Sequence, residues 1–477
     1  MLDNLKGEKM EGNRITKYLS LKTVENIGII NSRITHKFEL ITALYVVLIW
    51  ISLGVPILKG EQSFSAVVGS SVFITLIILF LLLKKENFIL YRIKRVYFVL
   101  FEIIGLSFLF NGVYYSVVGY IVIGSTFSLI IPLFSLISYN FVEFSICKAL
   151  SVAVIVTFVI FLVVSVVCGP SLGVKQYTSI FSNPNTLGNF MIIVNGSILY
   201  LILNAYSQKS RYTWMYFFAL GAELTIMVFT NSRTTLLAVV LQLLFFIVVC
   251  IVRTIKENDG YKIADLVKRF VLATIIVIVM FMVVFFALTS VKKELIYAAP
   301  SIQVQNEYEQ ISLKEVVTLT YLRYTKGLSE VGFNGDESAD NDAFTSGRKE
   351  IWKQFVSNLE VLGHKEESRK IVEDTRYYAS TNAHNVYIQM AYSAGIAAGV
   401  AMILIILVAV KDAIIKIYTF FKNGQLSDDY AFAICCSIGF GIVSLTSGGY
   451  MMFTYLPATM FYFTFSLFCI EKKQSLR

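Results

Sequence analysis

Charge is scarce in this chain: Asp, Glu, Lys and Arg supply 15% of its 477 residues, while 56% are apolar. With a mean hydropathy of +0.69, so much apolar surface excludes a water-soluble globular protein. Cysteine is scarce as well. The six, Cys147, Cys168, Cys250, Cys435, Cys436 and Cys469, sit in or beside apolar runs without CxxC spacing, which argues against a disulfide scaffold and a zinc site. Internal repeats, low-complexity tracts and nucleotide-binding glycine motifs are absent. So is a cleavable signal peptide, since the first apolar run begins near residue 39 and is long enough to span. Histidine is the rarest useful group: three in all, two of them between residues 290 and 384.

What remains is a succession of apolar runs about 20 residues long, the length that crosses a bilayer as a helix. They predict about twelve transmembrane helices, near 39–58, 64–83, 96–116, 118–138, 147–168, 187–205, 212–231, 234–252, 270–289, 385–410, 430–450 and 453–470. A β-barrel is disfavoured, because its strands alternate apolar and polar residues whereas Phe270 to Leu288 is continuously apolar. Seven Lys or Arg precede residue 39, and alternate connections carry most of the others, including Lys84, Arg95, Arg253, Lys256 and Lys422. By the positive-inside rule that face is cytoplasmic. The expected organisation is a cytoplasmic segment 1–38, helices 1–9 over 39–289, an extracytoplasmic loop domain 290–384, helices 10–12 over 385–470 and a cytoplasmic tail 471–477. The net charge of +9 follows from this inner-face bias and does not signal nucleic-acid binding.

Within the loop, Ser312 to Glu315 reads as a capping box opening a short helix, and a second helix is expected from about Gly347 to Leu359. Asp336, Glu337, Asp340 and Asp342 lack the ligand spacing of a calcium loop and read as a solvated segment. Arg348, Trp352, Phe355 and Leu359 would share one helical face. Arg348 in the first turn opposes the helix dipole, which either a bound anion or a surface salt bridge would relieve.

Arg233 lies in a very short connection on the outer side, where it can snorkel or take a phosphate with its fixed donors. Asn183 as N-cap and Pro184 at the first helical position open the sixth span, an arrangement that needs no ligand but leaves a helix N-terminus able to attract phosphate. Glu102 and Glu223 fall deep inside the third and seventh spans, where a carboxylate is expensive and belongs either to a structural network or to function. His384 ends the polar stretch beside Asn385. With Ile388, Ala391 and Gly395 it would share a helical face, while Ala391, Gly395 and Gly399 form a small-residue ridge.

Taken together these elements resemble the O-antigen ligase and polymerase superfamily of bacterial surface-glycan enzymes, over about residues 175–400. The resemblance rests on Asn183-Pro-Asn185 with Gly188, the run 230–234, Ser346 to Trp352, Gly363-His364, and His384-Asn385 followed by Gly395. The family's usual GxxG after the His-Asn pair is here Gly395, Ala398 and Gly399. The resemblance implies a GT-C-like, all-α polytopic membrane glycosyltransferase of the bacterial plasma membrane. Its donor and acceptor would be undecaprenyl-diphosphate-linked oligosaccharides, with membrane lipid, a flippase and a chain-length regulator as further partners, and without metal or other cofactor. His384, Arg348 and Arg233 are the expected catalytic residues, the arginines on the diphosphate and His384 as base or phosphate ligand. Asn183, Asn185, Trp352, His364 and Asn385 are expected at the substrate. A polymerase is the preferred reading. A ligase, a lipid-linked glycan transporter and a non-catalytic assembly protein are the alternatives.

Overall fold

The structure, a computed structural model, describes residues 37–49, 91–140, 145–167, 172–173, 176–177, 184–208, 210, 212–230, 232–256, 260–289, 348–366, 382–450 and 455–472. Those residues are almost all helical. In a bilayer every backbone N–H and C=O must be satisfied within its own segment, and long apolar runs without regular alternation do this as helices. The helices are α1 (37–49), α2 (Arg95–Tyr114), α3 (Val118–Ser125), α4 (Ile131–Asn140) and α5 (Ile146–Val167). A π-helical turn, Thr126–Ile130, joins α3 to α4 without a break. There follow α6 (Pro184–Ser207), α7 (Thr213–Thr230), α8 (Arg233–Lys256) and α9 (Gly260–Thr289), then α10 (Arg348–Val356), α11 (Val386–Ala394), α12 (Ile396–Asn423), α13 (Asp428–Ser444) and α14 (Leu456–Cys469).

Eight spans among the described residues are long and apolar enough to cross a membrane. The protein is an all-α polytopic membrane protein. Of the expected spans, 64–83 lies outside the described residues and 39–58 is described only to residue 49. The first loop helix, the acidic segment and Asn183 also fall outside them.

Three expected helices differ in shape. The span 385–410 is two helices, because Gly395 takes φ +97°, a conformation that breaks the helix and that other residues rarely adopt. Beyond it α12 runs on past Lys411 and Asp412 to Asn423, where left-handed Gly424 closes it with its N–H on the Phe420 carbonyl (2.7 Å). The spans 430–450 and 453–470 shorten to α13 and α14, since helix-poor Ser447-Gly448-Gly449 leaves 445–450 as a turn and extended chain.

Helix α6 is the centre of the bundle: 89% of its span is buried, against 17% for the lipid-facing α9. It packs against α5, α7, α8 and α13. A buried amide chain crosses this core, from Asn195 Nδ2 to Gln242 Oε1 (2.8 Å) and from Gln242 Nε2 to the Cys435 carbonyl (2.9 Å). Each such bond between membrane helices is worth about 1 kcal/mol. At one end of the bundle, Tyr91–Ile93 pairs antiparallel with Ile470–Lys472. Beside that pair Lys94 Nζ meets Asp412 Oδ2 at 2.6 Å.

The candidate diphosphate and glycan site

At one end of α8 stands Arg233, in the helix's first turn. The helix is 24 residues long, roughly 36 Å at 1.5 Å per residue, so Arg253 and Lys256 lie about a bilayer away at its other end. Gly188 of α6 allows the approach here: a Cβ on it would collide with the Thr235 hydroxyl. That contact brings Asn185 to the start of α8, where it accepts from Ser232 Oγ at 3.2 Å. One turn further, Asn189 Nδ2 donates to the Tyr455 hydroxyl at 2.7 Å.

The second wall is α10 lying on α11. Ile351 and Phe355 bury against Ala383, Tyr392, Ile388 and Leu359, and the Phe355 and Tyr392 rings meet edge to face with centroids 4.7 Å apart. The expected helix 347–359 is thus Arg348–Val356, with Leu359 beyond its end but still in the cluster. Its buried side runs through Ile351 and Phe355. Arg348 is its first residue, and Trp352 follows one turn later with a buried indole N–H that has no acceptor among the described residues.

His384 differs from the sequence expectation. It is not on the helix and cannot share a face with Ile388 and Gly395; it occupies a left-handed turn at φ +46° just before the helix. Such a conformation costs about 1–2 kcal/mol for a residue with a side chain. The Asn382 side-chain oxygen accepts its N–H at 2.9 Å. Asn385 is the N-cap, its Oδ1 accepting from the N–H of Tyr387 (3.0 Å) and Ile388 (3.1 Å), a role worth about 1 kcal/mol. The small-residue ridge closes the chain on itself, Gly399 lying against Ala391 across the Gly395 break.

Electrostatics join the three residues singled out in the sequence. Burial and the charge of Arg348 hold the His384 imidazole below its ordinary 6.5. Burial and the charge of Arg233 lower Arg348 in turn. Arg348 therefore faces a second cation and an imidazole, and forms no ion pair with a carboxylate among the described residues. An anion beside Arg348 would oppose the effect that burial and the Arg233 charge have on it. Both influences favour the neutral form of the His384 ring.

Other expected residues are placed elsewhere. His364 stacks on Tyr392 (centroids 4.0 Å), donates its ring Nε2–H to the Asn358 carbonyl (2.6 Å) and takes the Tyr392 carbonyl on its backbone N–H (3.0 Å). Gly363 before it has φ +78°, and a Cβ there would lie 2.6 Å from the Gly395 nitrogen and the Ser393 carbonyl, so both backbone and space require glycine. His364 thus staples the end of the loop to α11. Glu102 is half-buried on α2, and Glu223 on α7 is wholly buried with neither carboxyl oxygen partnered among the described residues.

The sequence reading missed the connection 445–450 and Tyr455. The Leu445 carbonyl accepts from Asn385, Gly448 packs on the Asn382 side chain, and Gly449 lies under the Tyr455 ring. This segment ties the His384 turn to Asn189 of α6. The pair Gly448-Gly449, inside what read as a membrane span, was its only signal. Among the described residues no group of three or more His, Cys, Asp or Glu side chains is placed to hold a metal ion.

A family model described as O-antigen ligase matches residues 216–404, a segment that contains Arg233, Arg348, Trp352, His364, His384 and Asn385. Searches of curated proteins and of solved structures found no match. Over this segment the chain is similar to the O-antigen ligase family, in line with the resemblance carried by the sequence motifs.

Proposed function

We propose that the protein is a membrane glycosyltransferase that polymerises undecaprenyl-diphosphate-linked repeat units of a capsular or O-antigen-type polysaccharide at the outer leaflet. The observation that carries this reading is Arg348, set between Arg233 and His384 without an anionic partner among the described residues. The positive-inside rule applied to Arg253, Lys256 and Lys422, at the opposite helix ends, supports an orientation with both termini in the cytoplasm and residues 290–384 outside.

In the reaction an acceptor hydroxyl attacks the anomeric carbon, the glycosyl–phosphate bond breaks on the opposite face, and the configuration inverts. The diphosphate leaves with the bonding electrons, and the two guanidinium groups stabilise the charge that develops on it. His384 takes the acceptor's proton. Its lowered pKa keeps the ring free to accept one, and a bound diphosphate offsets the Arg348 charge and raises its basicity at the moment of use. With fixed cations in place no divalent metal is required, and turnover is expected to survive EDTA; complete loss restored by magnesium or manganese would contradict this. Asn185 at the start of α8, Trp352 one turn from Arg348 and Asn385 beside His384 would contact the substrate or support these groups.

The test is purified protein in lipid with an undecaprenyl-diphosphate-linked repeat unit. Lengthened lipid-linked glycan is the expected product. Transfer only to a different acceptor would make the protein a ligase, and movement of the glycan across the bilayer without bond formation would make it a transporter.

A further inference from the structure

One buried amide on α11 has no part in the reaction as written. Gln389 is wholly inside the protein, 3% exposed, yet its two ends are both engaged. Its Oε1 accepts the Ala383 N–H at 2.8 Å, and its Nε2 donates to the Ser393 hydroxyl at 3.0 Å. It therefore reaches from inside the helix back to the peptide before His384. Ala383 is itself completely buried in the cluster of Ile351, Phe355 and Tyr392 that carries α10. The same peptide is thus fixed to α11 by Gln389 and to the helix of Arg348 by packing. On its other side Asn382 holds the His384 N–H and rests on Gly448.

We propose that Gln389 and Asn382 are positioning residues that hold the left-handed His384 turn at a fixed distance from Arg348. The inference rests on the reading of His384 as a reacting group. Without the Gln389 acceptor, the Ala383 N–H would be buried and unsatisfied, and the turn would relax towards an ordinary backbone conformation. The imidazole would then move away from Arg348, the charged group that faces it among the described residues, with Arg233 behind.

The test uses the full-length protein in detergent or nanodiscs with nitrogen-labelled histidine. Six ring-nitrogen signals are expected, two from each of the three histidines, and the His384 pair is the one missing from His384→Ala. Gln389→Met keeps length and volume but removes the acceptor. It should move the His384 titration up towards 6.5 and lower turnover by about 10²-fold, the cost of a displacement near 1 Å, with donor binding retained. Asn382→Ala, in a half-buried turn, should shift the titration in the same direction and lower turnover less. A wild-type titration in both variants overturns the proposal, including the case in which turnover falls with stability alone. The titration needs no substrate, so failure to transfer glycan would count against the proposed function without deciding this one.

Discussion

Helix α8 begins at Arg233 and ends near Arg253, and the cations at its two ends, Arg348 beside Arg233 and Arg253 itself, meet different surroundings. Arg253 has an anion: Nη1 lies 2.8 Å from Asp428 Oδ1, and Nη2 donates to the Leu426 carbonyl at 2.6 Å. Those bonds pin the α12–α13 connection to the end of α8. At the other end Arg233 and Arg348 oppose one another, with the His384 ring beyond. An arginine whose charge is neutralised by the fold does structural work. Arg348 forms no ion pair with a carboxylate among the described residues and has the Arg233 charge nearby, so an anionic ligand would favour its charged form.

Breaking the outer end should remove chemistry and leave the fold. His384→Ala is expected to lower turnover by 10²–10⁴-fold, roughly the contribution of a general base, at normal membrane insertion. A loss of donor binding in the same proportion would make His384 a phosphate ligand. Arg348→Gln removes a donor to the developing charge and should cost about 10²-fold in turnover.

The same variant has a pH signature. A base must be neutral, so the rate falls as pH drops through its pKa. Burial and Arg348 hold that pKa low in the free enzyme, and the wild-type acid limb of kcat/KM therefore lies below 6.5. Without the Arg348 charge the imidazolium is less disfavoured, and the limb should move to higher pH, part of the way back. An unmoved limb would separate Arg348 from His384.

Breaking the inner end should do the reverse. Arg253→Gln leaves Asp428 without its cation and the Leu426 carbonyl without a donor. It should cost about 2 kcal/mol of stability, seen as earlier thermal unfolding in detergent, with turnover per folded molecule unchanged.

Much of this was legible because bilayers impose a length. Runs such as Asn185–Ser207 and Val267–Leu288 announce themselves by apolar content alone. What failed was local. A glycine such as Gly395 looks the same in sequence whether it continues a helix or breaks it, and only the Val361 carbonyl packed where its Cβ would be decides the matter. His384 read as a helix residue because the polar-to-apolar boundary marks where a membrane run starts, while the helix starts at the Asn385 cap. The arginines were legible as charges out of place. Their proximity was not, since residues 233, 348 and 384 are joined only through tertiary packing. His364 was equally conspicuous in sequence, and stacking on Tyr392 gives it a structural task.

The central claim is that the paired cations at the outer end of α8 hold a lipid diphosphate. It is tested most directly by the affinity of wild-type, Arg348→Gln and Arg253→Gln protein in nanodiscs for undecaprenyl-diphosphate-linked glycan. The account predicts weaker binding in Arg348→Gln, with a shallower dependence on salt, and wild-type binding in Arg253→Gln. Equal affinity in all three, or a loss confined to Arg253→Gln, would contradict it.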